Sequence, residues 1–485
     1  MLRGFIVILL FSCTAPAAAG RQQTYTLDDC ITIALQKHQS LRVSDAQVMM
    51  AEALYQQAMS AYWPRVSASV SAERADQDRT FTAQGNFELP SSLTGALTTV
   101  AALQDPQYAQ ALNAGLAQPI SSIPLDMKMK LYDRDLVTAS INLEYPVFTG
   151  FMRPAIIGQA EKGVQIAEQA RRKSSLEVVR DVKKYFYAAQ FALQMEQLAN
   201  ATLQRFEVLE DLTDRLYQNG SLKVKKTDYL RTKVTTAMMR SMLNEAEYSR
   251  ELAHEALGNA MGQAWDTDYR IAETEMPKEL TANLEELVEA ARQFNPDIQQ
   301  LSLAVQLTEH RITEAQSGYY PMVGVQASAH KLWNDYDAGL INDDNAEGWT
   351  IGIGMQWDLF SGFETVGKVK HAEAQQRQVK SQTILLDEGM ALQVKQQFLR
   401  IRSSNRQIQN NKVAFGFARD NRKLHTRAYQ QEMVTTKDVI ESQLVESFAQ
   451  SAYYRSRYSL EVGLTSLEYL IGRNLEQLGG FAKAR

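Results

Sequence analysis

The sequence predicts a mainly α protein with a smaller set of membrane β-strands, arranged as a duplicated helix–strand–strand–helix–helix unit. Three observations predict it: landmarks that occur twice in the same order, strands that alternate apolar and polar side chains, and two proline-poor stretches with helical periodicity over close to seventy residues.

The repeat fixes where each element falls. Tyr62-Trp63-Pro64-Arg65-Val66 returns as Tyr319-Tyr320-Pro321-Met322-Val323, an offset of 257. Tyr145-Pro146-Val147-Phe148-Thr149-Gly150 returns as Trp357-Asp358-Leu359-Phe360-Ser361-Gly362, an offset of 212. The run 257–262 returns at 467–472, an offset of 210. The drop from 257 to 212 places a long insertion in the first half, over 76–134, expected as a surface loop between paired strands. The resulting division is a first repeat over 20–262, an equatorial segment over 263–295, a second repeat over 296–472 and a tail over 473–485.

Strands are expected at about 65–75, 137–148, 322–332 and 348–360. Ile141, Leu143, Tyr145 and Val147 interleave with Asn142 and Glu144; Trp349, Ile351, Ile353, Met355, Trp357 and Leu359 interleave with Thr350, Gly352, Gly354, Gln356 and Asp358. Such strands suit a soluble sheet with one face on a core, or a barrel wall between lipid and a watery lumen. Trp349 and Trp357 lie roughly 26 Å apart along a strand at ~3.3 Å per residue. That approaches the separation of two interfacial aromatic girdles, for which Trp349, Trp357 and Tyr145 are the candidates. Ile351-Gly352-Ile353-Gly354 sits inside a strand with no helix opening after it, so it is no phosphate loop.

Long helices are expected over about 151–217 and 363–430, each roughly 100 Å at 1.5 Å per residue. Pro154 falls in a first turn, where it is tolerated. Leu176, Val179, Val182, Phe186, Ala189 and Leu193 recur at threes and fours. Return helices follow over about 221–262 and 434–472, and shorter ones over 40–61 and 296–319. Asn295 suits an N-cap with Pro296 at N1. An apolar stripe this long needs neighbours throughout, which implies a coiled-coil-like assembly.

Composition narrows the class. Of 485 residues, 45% are hydrophobic and 22% charged, which excludes disordered and collagenous chains. A net charge of −5 argues against a nucleic-acid partner. Cys13 and Cys30 form no disulfide framework and have no metal-ligand spacing. Arg3, the apolar run 5–11 and Ala17-Ala18-Ala19 before Gly20 read as a signal peptide over 1–19. Leu10-Phe11-Ser12-Cys13 loosely resembles a lipidation box, with lipidation of Cys13 the minor alternative because Phe11 is bulky for it. No later segment reaches about 18 consecutive apolar residues, so an exported chain of this kind crosses a membrane only as strands.

Four strands cannot close a barrel, and an open edge cannot face lipid. Two, three or four copies would supply 8, 12 or 16. Eight strands leave an interior filled by side chains, so twelve, from three copies, is the smallest number favouring a water-filled lumen.

The order and duplication of these motifs resemble the TolC-like outer-membrane efflux family. Asn295-Pro296-Asp297, Phe148-Thr149-Gly150, Phe360-Ser361-Gly362 and Tyr217-Gln218-Asn219-Gly220-Ser221-Leu222 share in the likeness, which covers roughly residues 25–472. The resemblance implies a homotrimer: a 12-stranded β-barrel in the outer membrane of a Gram-negative bacterium, continuous with a long α-helical periplasmic barrel. Its implied partners are outer-membrane lipid, a periplasmic adaptor (membrane fusion) protein and an inner-membrane pump or ABC exporter. The implied function is a passive exit duct of a tripartite efflux or type I secretion system, gated at its periplasmic end.

Asp438 and Glu441 resemble the family's aperture acids. Three apart, they share a helix face, and a trimer would make rings of them that attract cations. On spacing alone they read as two solvated surface acids. Asp228 and Tyr429 match the family's first-half aspartate and its tyrosine, while the arginine position is occupied by Val434. The turns Gly220-Ser221-Leu222 and Glu432-Met433-Val434 are the expected adaptor contacts.

The six histidines show no i, i+4 pair, so no metal site is expected. Met238, Met239 and Met242 suit helix packing better than soft-metal export. There is no G-x-x-x-x-G-K, so energy has to come from a partner. A structural periplasmic spacer without transport is the alternative function; an enzyme has no catalytic constellation to support it, and no cofactor is expected.

Overall fold

The structure is a computed structural model that describes residues 24–87, 123–132, 134–265, 267–275, 279–334, 346–476 and 478–479. The signal segment 1–19, Cys13 and the end of the tail lie outside the described residues. The strands are β1 Thr24–Tyr25, β2 Arg65–Arg74, β3 Arg79–Phe87, β4 Ile123–Tyr132, β5 Asp135–Thr149, β6 Arg270–Ile271, β7 Met322–Asn334 and β8 Glu347–Gln356. The α-helices are α1 Leu27–Lys37, α2 Gln39–Met59, α3 Met152–Gln218, α4 Lys226–Ala260, α5 Leu284–Phe294, α6 Pro296–Gln316, α7 Glu364–Gln430 and α8 Thr436–Ile471. The chain divides into two compact units, one holding Gln57–Ile156 with Thr313–Val369 and the other the remaining described residues.

The first of these is built on an antiparallel sheet in the order β2-β5-β7-β8. Its register aligns Val66, Leu143, Ala327 and Ile351 in one row, and Ala68, Ile141, Ala329 and Trp349 in another. The interleaved rows are Ser67, Asn142, Ser328 and Thr350, then Ser69, Ser140, His330 and Gly348. Residues directly opposite share a face and neighbours along a strand take opposite faces. One face is therefore apolar on all four strands and the other polar, with the Ser69 and Ser140 hydroxyls 2.8 Å apart. Val66, Val70, Ile141, Trp349, Ile351, Ile353 and Met355 are exposed on the apolar side.

Three expectations change here. The ladder ends at Met322 opposite Gln356, because the preceding Pro321 has no N–H to donate; the strand expected to reach 360 stops at Gln356 and leaves Trp357 outside it. A bulge at Val147 puts Phe148 opposite Val323, interrupting the alternation read through 141–147. The stretch 76–134, expected as a loop, carries β3 and β4, which pair with each other in a separate two-stranded sheet. The alternating Met127-Lys128-Met129-Lys130 is a strand pattern that the surrounding prolines obscured. Residues 88–122 of that insertion lie outside the described residues.

Each long helix opens from a strand through two successive left-handed residues: Gly150 (φ 61°) and Phe151 (φ 70°), then Gly362 (φ 62°) and Phe363 (φ 68°). A Cβ on Gly150 would lie 2.6 Å from the Ser317 carbonyl oxygen, so only glycine fits. The rings of Phe148 and Phe151 meet edge to face at 5.5 Å, those of Phe360 and Phe363 at 5.6 Å. Thr149 Oγ1 accepts the Arg153 N–H at 3.1 Å and caps α3.

The helical unit holds the repeat in its core. Cys30 and Ala34 of α1 pack with Val182 and Phe186 of α3, with Leu257 of α4 and with Met261 at its C-cap. Leu287 and Ala291 of α5 pack with Val394 and Phe398 of α7 and with Leu467 and Ile471 of α8. Pair by pair these positions differ by 257, 212 and 210, the offsets read from the sequence landmarks. Thr26 caps α1 with Asp29 at N3, and Asn283 caps α5 with Glu286 at N3, both as reciprocal capping boxes. Asn295 Oδ1 accepts the N–H groups of Asp297 (2.8 Å) and Ile298 (3.3 Å), starting α6. Leu230, Val234, Met238 and Met242, four apart along α4, remain exposed, an apolar stripe that a single copy leaves uncovered.

Candidate functional site

The turns between α3 and α4 and between α7 and α8 close in the same way. Gly220 (φ 73°) and Glu432 (φ 53°) are left-handed. The Ser221 N–H then reaches the Leu216 carbonyl at 3.0 Å, and the Met433 N–H reaches that of Ala428 at 2.8 Å. Both are helix-terminating bonds that satisfy orphan carbonyls. Lys223 Nζ donates to the Glu432 carbonyl at 2.7 Å, tying one turn to the other. Leu222 is 99% exposed and Met433 73% exposed. Between the turns lies a cavity of about 410 Å³, with Leu216, Leu222, Val224, Tyr429, Met433 and Asp438 in its wall.

Tyr429 is buried, its hydroxyl 3.1 Å from Thr213 Oγ1 on α3 and 2.9 Å from Thr436 Oγ1 on α8. Val434 packs against the same cluster, formed by Leu203, Phe206, Leu209, Met239, Val439 and Ile440. Asp228 faces its own helix end instead: its carboxylate accepts the Lys225 N–H at 3.0 Å and lies 3.7 Å from Arg231. Asp438 does the same at α8, accepting the Thr435 N–H at 2.9 Å and its hydroxyl at 2.6 Å. These bonds hold the Asp438 carboxyl below the usual carboxylate range. Glu441, one turn on, is exposed beside Arg231, Lys437, Val445 and Phe448. The structure thus gathers Tyr429 and Val434 in one packed cluster and places Asp228 and Asp438 in separate capping boxes.

Three side chains beside this site, those of Thr213, Thr436 and Glu446, were missed in the sequence. Thr213 and Thr436 supply the tyrosine's partners. Glu446, 3% exposed, pairs with Arg422 on α7 at 2.5 Å and Arg205 on α3 at 3.9 Å. The only sequence signal for Glu446 was its spacing from the buried Val439 and Gln443, which puts it on the inward face.

On the sheet, Trp349 is 77% exposed on the apolar face. Trp357, just past β8, donates its indole N–H to the Tyr319 carbonyl at 3.2 Å. Tyr145 is half-buried beneath the Arg153 guanidinium, which stands 5.6 Å from its ring and 5.1 Å from that of Tyr62. Exposed Trp63, Phe360 and Phe363 border the same end of the sheet as Trp357, and exposed Trp333 lies opposite Val137 toward the other. Trp333 was overlooked because the strand was ended at 332. Among the described residues no cluster of His, Cys, Asp or Glu is suited to hold a metal ion, and no helix is long and apolar enough to cross a membrane.

A sheet with one apolar face bordered by aromatic rings, and long paired helices, are the features expected of an outer-membrane channel protein, and the family match places the chain in that class. The model of the outer membrane efflux protein family matches residues 30–263 and 287–473, and the chain belongs to that family. Its fold is similar to that of CusC (TM-score 0.72, 14% identity, 92% of each chain covered). VceC of Vibrio cholerae gives a TM-score of 0.70 at 18% identity, over 92% of this chain and 96% of that one. The CmeC outer membrane channel of Campylobacter jejuni gives 0.72 at 14% identity, over 95% and 87%. Likeness at these identities is a likeness of fold. Among curated proteins none matches the sequence.

Proposed function

We propose that the protein is the passive exit duct of a tripartite efflux or type I secretion system, assembled from three copies and gated where the long helices turn. The observation that carries this is the four-stranded sheet: one face apolar, the other polar, and its outer strands β2 and β8 without a neighbour among the described residues. Joining β8 of one copy to β2 of the next, three times, closes a twelve-stranded wall with lipid outside and water inside. Trp349 and Trp333 then border one interface and Trp357, Trp63 and Tyr145 the other. The exposed α4 stripe is covered by neighbouring copies.

At the turns, Tyr429 with its two threonine partners holds the long helices together in the closed state. Asp438 and Glu441 form carboxylate rings that attract cations; at about 6 Å in water like charges repel by roughly 0.7 kcal/mol per pair. Gly220, Ser221, Leu222, Glu432, Met433 and Val434 meet a periplasmic adaptor, which links the duct to an inner-membrane pump or ABC exporter.

The test is electrical. Purified protein should run as a heat-resistant trimer and conduct ions in a planar bilayer, with current blocked by divalent cations. Asp438→Asn with Glu441→Gln should weaken that block; unchanged block removes the gate assignment. A spacer without a lumen would carry no current.

A further inference from the structure

The two turns share a backbone and differ in charge. Residues 219–231 carry Lys223, Lys225, Lys226 and Arg231 against one carboxylate, Asp228. Residues 431–441 carry Glu432, Asp438 and Glu441 against one cation, Lys437.

The lysines sit where a helix tolerates them least. Lys225 is the N-cap of α4 and Lys226 its first residue, at the positive end of the helix dipole. The matching positions of α8 are Thr435, whose hydroxyl accepts the Asp438 N–H, and Thr436, whose hydroxyl meets Tyr429. The first turn therefore forgoes a side-chain cap and a buried hydroxyl contact and keeps two exposed ammonium groups. Lys223 is engaged with the Glu432 carbonyl, but neither Lys225 nor Lys226 has a carboxylate partner among the described residues. The Asp228 carboxylate serves the Lys225 backbone N–H but neither ammonium group, so the charge of both side chains is left to something outside the fold. Next to these charges stand Leu222, almost wholly exposed, and the cavity between the turns.

We infer that the first turn docks a protein segment that presents carboxylates to Lys225 and Lys226 and seats an apolar side chain in the cavity beside Leu222 and Met433. This rests on reading the turns as adaptor contacts, and it specifies the chemistry of the adaptor surface there: acidic against the first turn.

Carbodiimide, which joins an amine directly to a carboxylate, tests this on the full-length protein in its native membranes. A photo-reactive residue at Leu222 serves as the independent probe of adaptor contact. The expected result is that Lys225 or Lys226 couples to Asp or Glu side chains of the same adaptor that Leu222 captures, and that Lys225→Gln with Lys226→Gln abolishes the coupling. The charge reversal Lys225→Glu with Lys226→Glu should lower adaptor affinity about tenfold or more at low salt, and should abolish the wild type's loss of affinity on raising salt. Glutamate suits a helix N-terminus, so the reversed variant folds; retention of the heat-resistant oligomer checks this. Adaptor captured at Leu222 with no carboxylate coupled to either lysine overturns the inference and leaves the adaptor contact standing. Capture at neither site overturns both. Lysine-dependent binding to phosphatidylglycerol vesicles without adaptor coupling also overturns it, in favour of a lipid surface.

Discussion

The hydroxyl of Tyr429 lies 3.1 Å from Thr213 Oγ1, joining α7 to α3 across 216 residues of sequence in a site closed to solvent. Its second contact, 2.9 Å to Thr436 Oγ1, reaches the first residue of α8. Thr213 retains a bond to the Leu209 carbonyl, so losing the phenol orphans Thr436 more than Thr213. Under the gating proposed above, Tyr429→Phe should destabilise the closed arrangement by about 1–2 kcal/mol and raise single-channel open probability. Thr213→Val should act in the same direction, and the pair should be non-additive in a double-mutant cycle.

Glu446 is enclosed by two guanidinium groups, and burial pulls the Arg205 pKa down. Glu446→Gln removes the anion and strands both cations, at a cost of about 3–5 kcal/mol. The melting temperature of the detergent-solubilised protein should fall sharply. Replacing all three, Arg205→Met, Arg422→Met and Glu446→Leu, should recover most of the loss, because an apolar trio of similar size leaves no buried charge.

The glycines closing the two equivalent helices are unequal. Both are left-handed, Gly262 at φ 69° and Gly472 at φ 77°. A Cβ at Gly262 would stand 3.1 Å from the Lys37 carbonyl, whereas one at Gly472 would stand 2.4 Å from that of Phe294. Gly262→Ala should cost about 1–2 kcal/mol for the backbone conformation alone. Gly472→Ala should cost more, since backbone has to move, and the difference is read by thermal unfolding.

Burial raises the carboxyl of Glu461 to about 7 from an ordinary 4.5, the hydrogen bond from Tyr187 and the charges of Arg457 and Lys183 offsetting only part of it. The folded state holds this proton to about pH 7 while the unfolded chain releases it near pH 4.5, so folding takes up a proton between those values. This group's effect is to lower stability as pH rises through that window, with the full cost above it. Glu461→Gln should therefore stabilise the protein at pH 8, by on the order of 1–3 kcal/mol, and leave it unchanged at pH 4. Asp438 works in the opposite sense. Its lowered pKa contributes stability at neutral pH that is lost as acid protonates it.

The sheet's two faces should respond differently to charge. Ile353 lies on the apolar face and Thr350 on the polar one. Ile353→Arg should cost about 2–4 kcal/mol in a lipid-facing position near mid-membrane and reduce the yield of heat-resistant oligomer. Thr350→Arg should assemble normally and change ion selectivity instead.

The fold was legible where a local pattern and a long-range constraint agree. Alternation in 141–145 and 349–355 announced the apolar face, because a one-residue slip would turn every side chain over. The duplicated offsets reappear in Cys30 against Leu287 and Val182 against Val394, since equivalent core positions carry equivalent packing. The β3–β4 pair was hidden by prolines, and Trp357 was misplaced because the strand's end was set by Pro321 on its partner. Gly220 and Glu432 were placed in the turns from sequence, but the left-handed backbone of Glu432 was not foreseen. Nor were the partners of Tyr429: a hydroxyl contact across 216 residues has no local signature. Asp228 and Asp438 were singled out as acids, yet their visible role here is to cap helices.

Among the described residues β2 and β8 each keep one backbone edge unpaired, and this bears on how the protein is made. In the three-copy wall proposed above, a newly made polypeptide has nowhere in oil to hide those amides, so finding siblings becomes a condition of entering the bilayer rather than a later refinement. Output should climb more steeply than synthesis, and one misshapen rim should poison its healthy companions, giving such alleles a dominant phenotype.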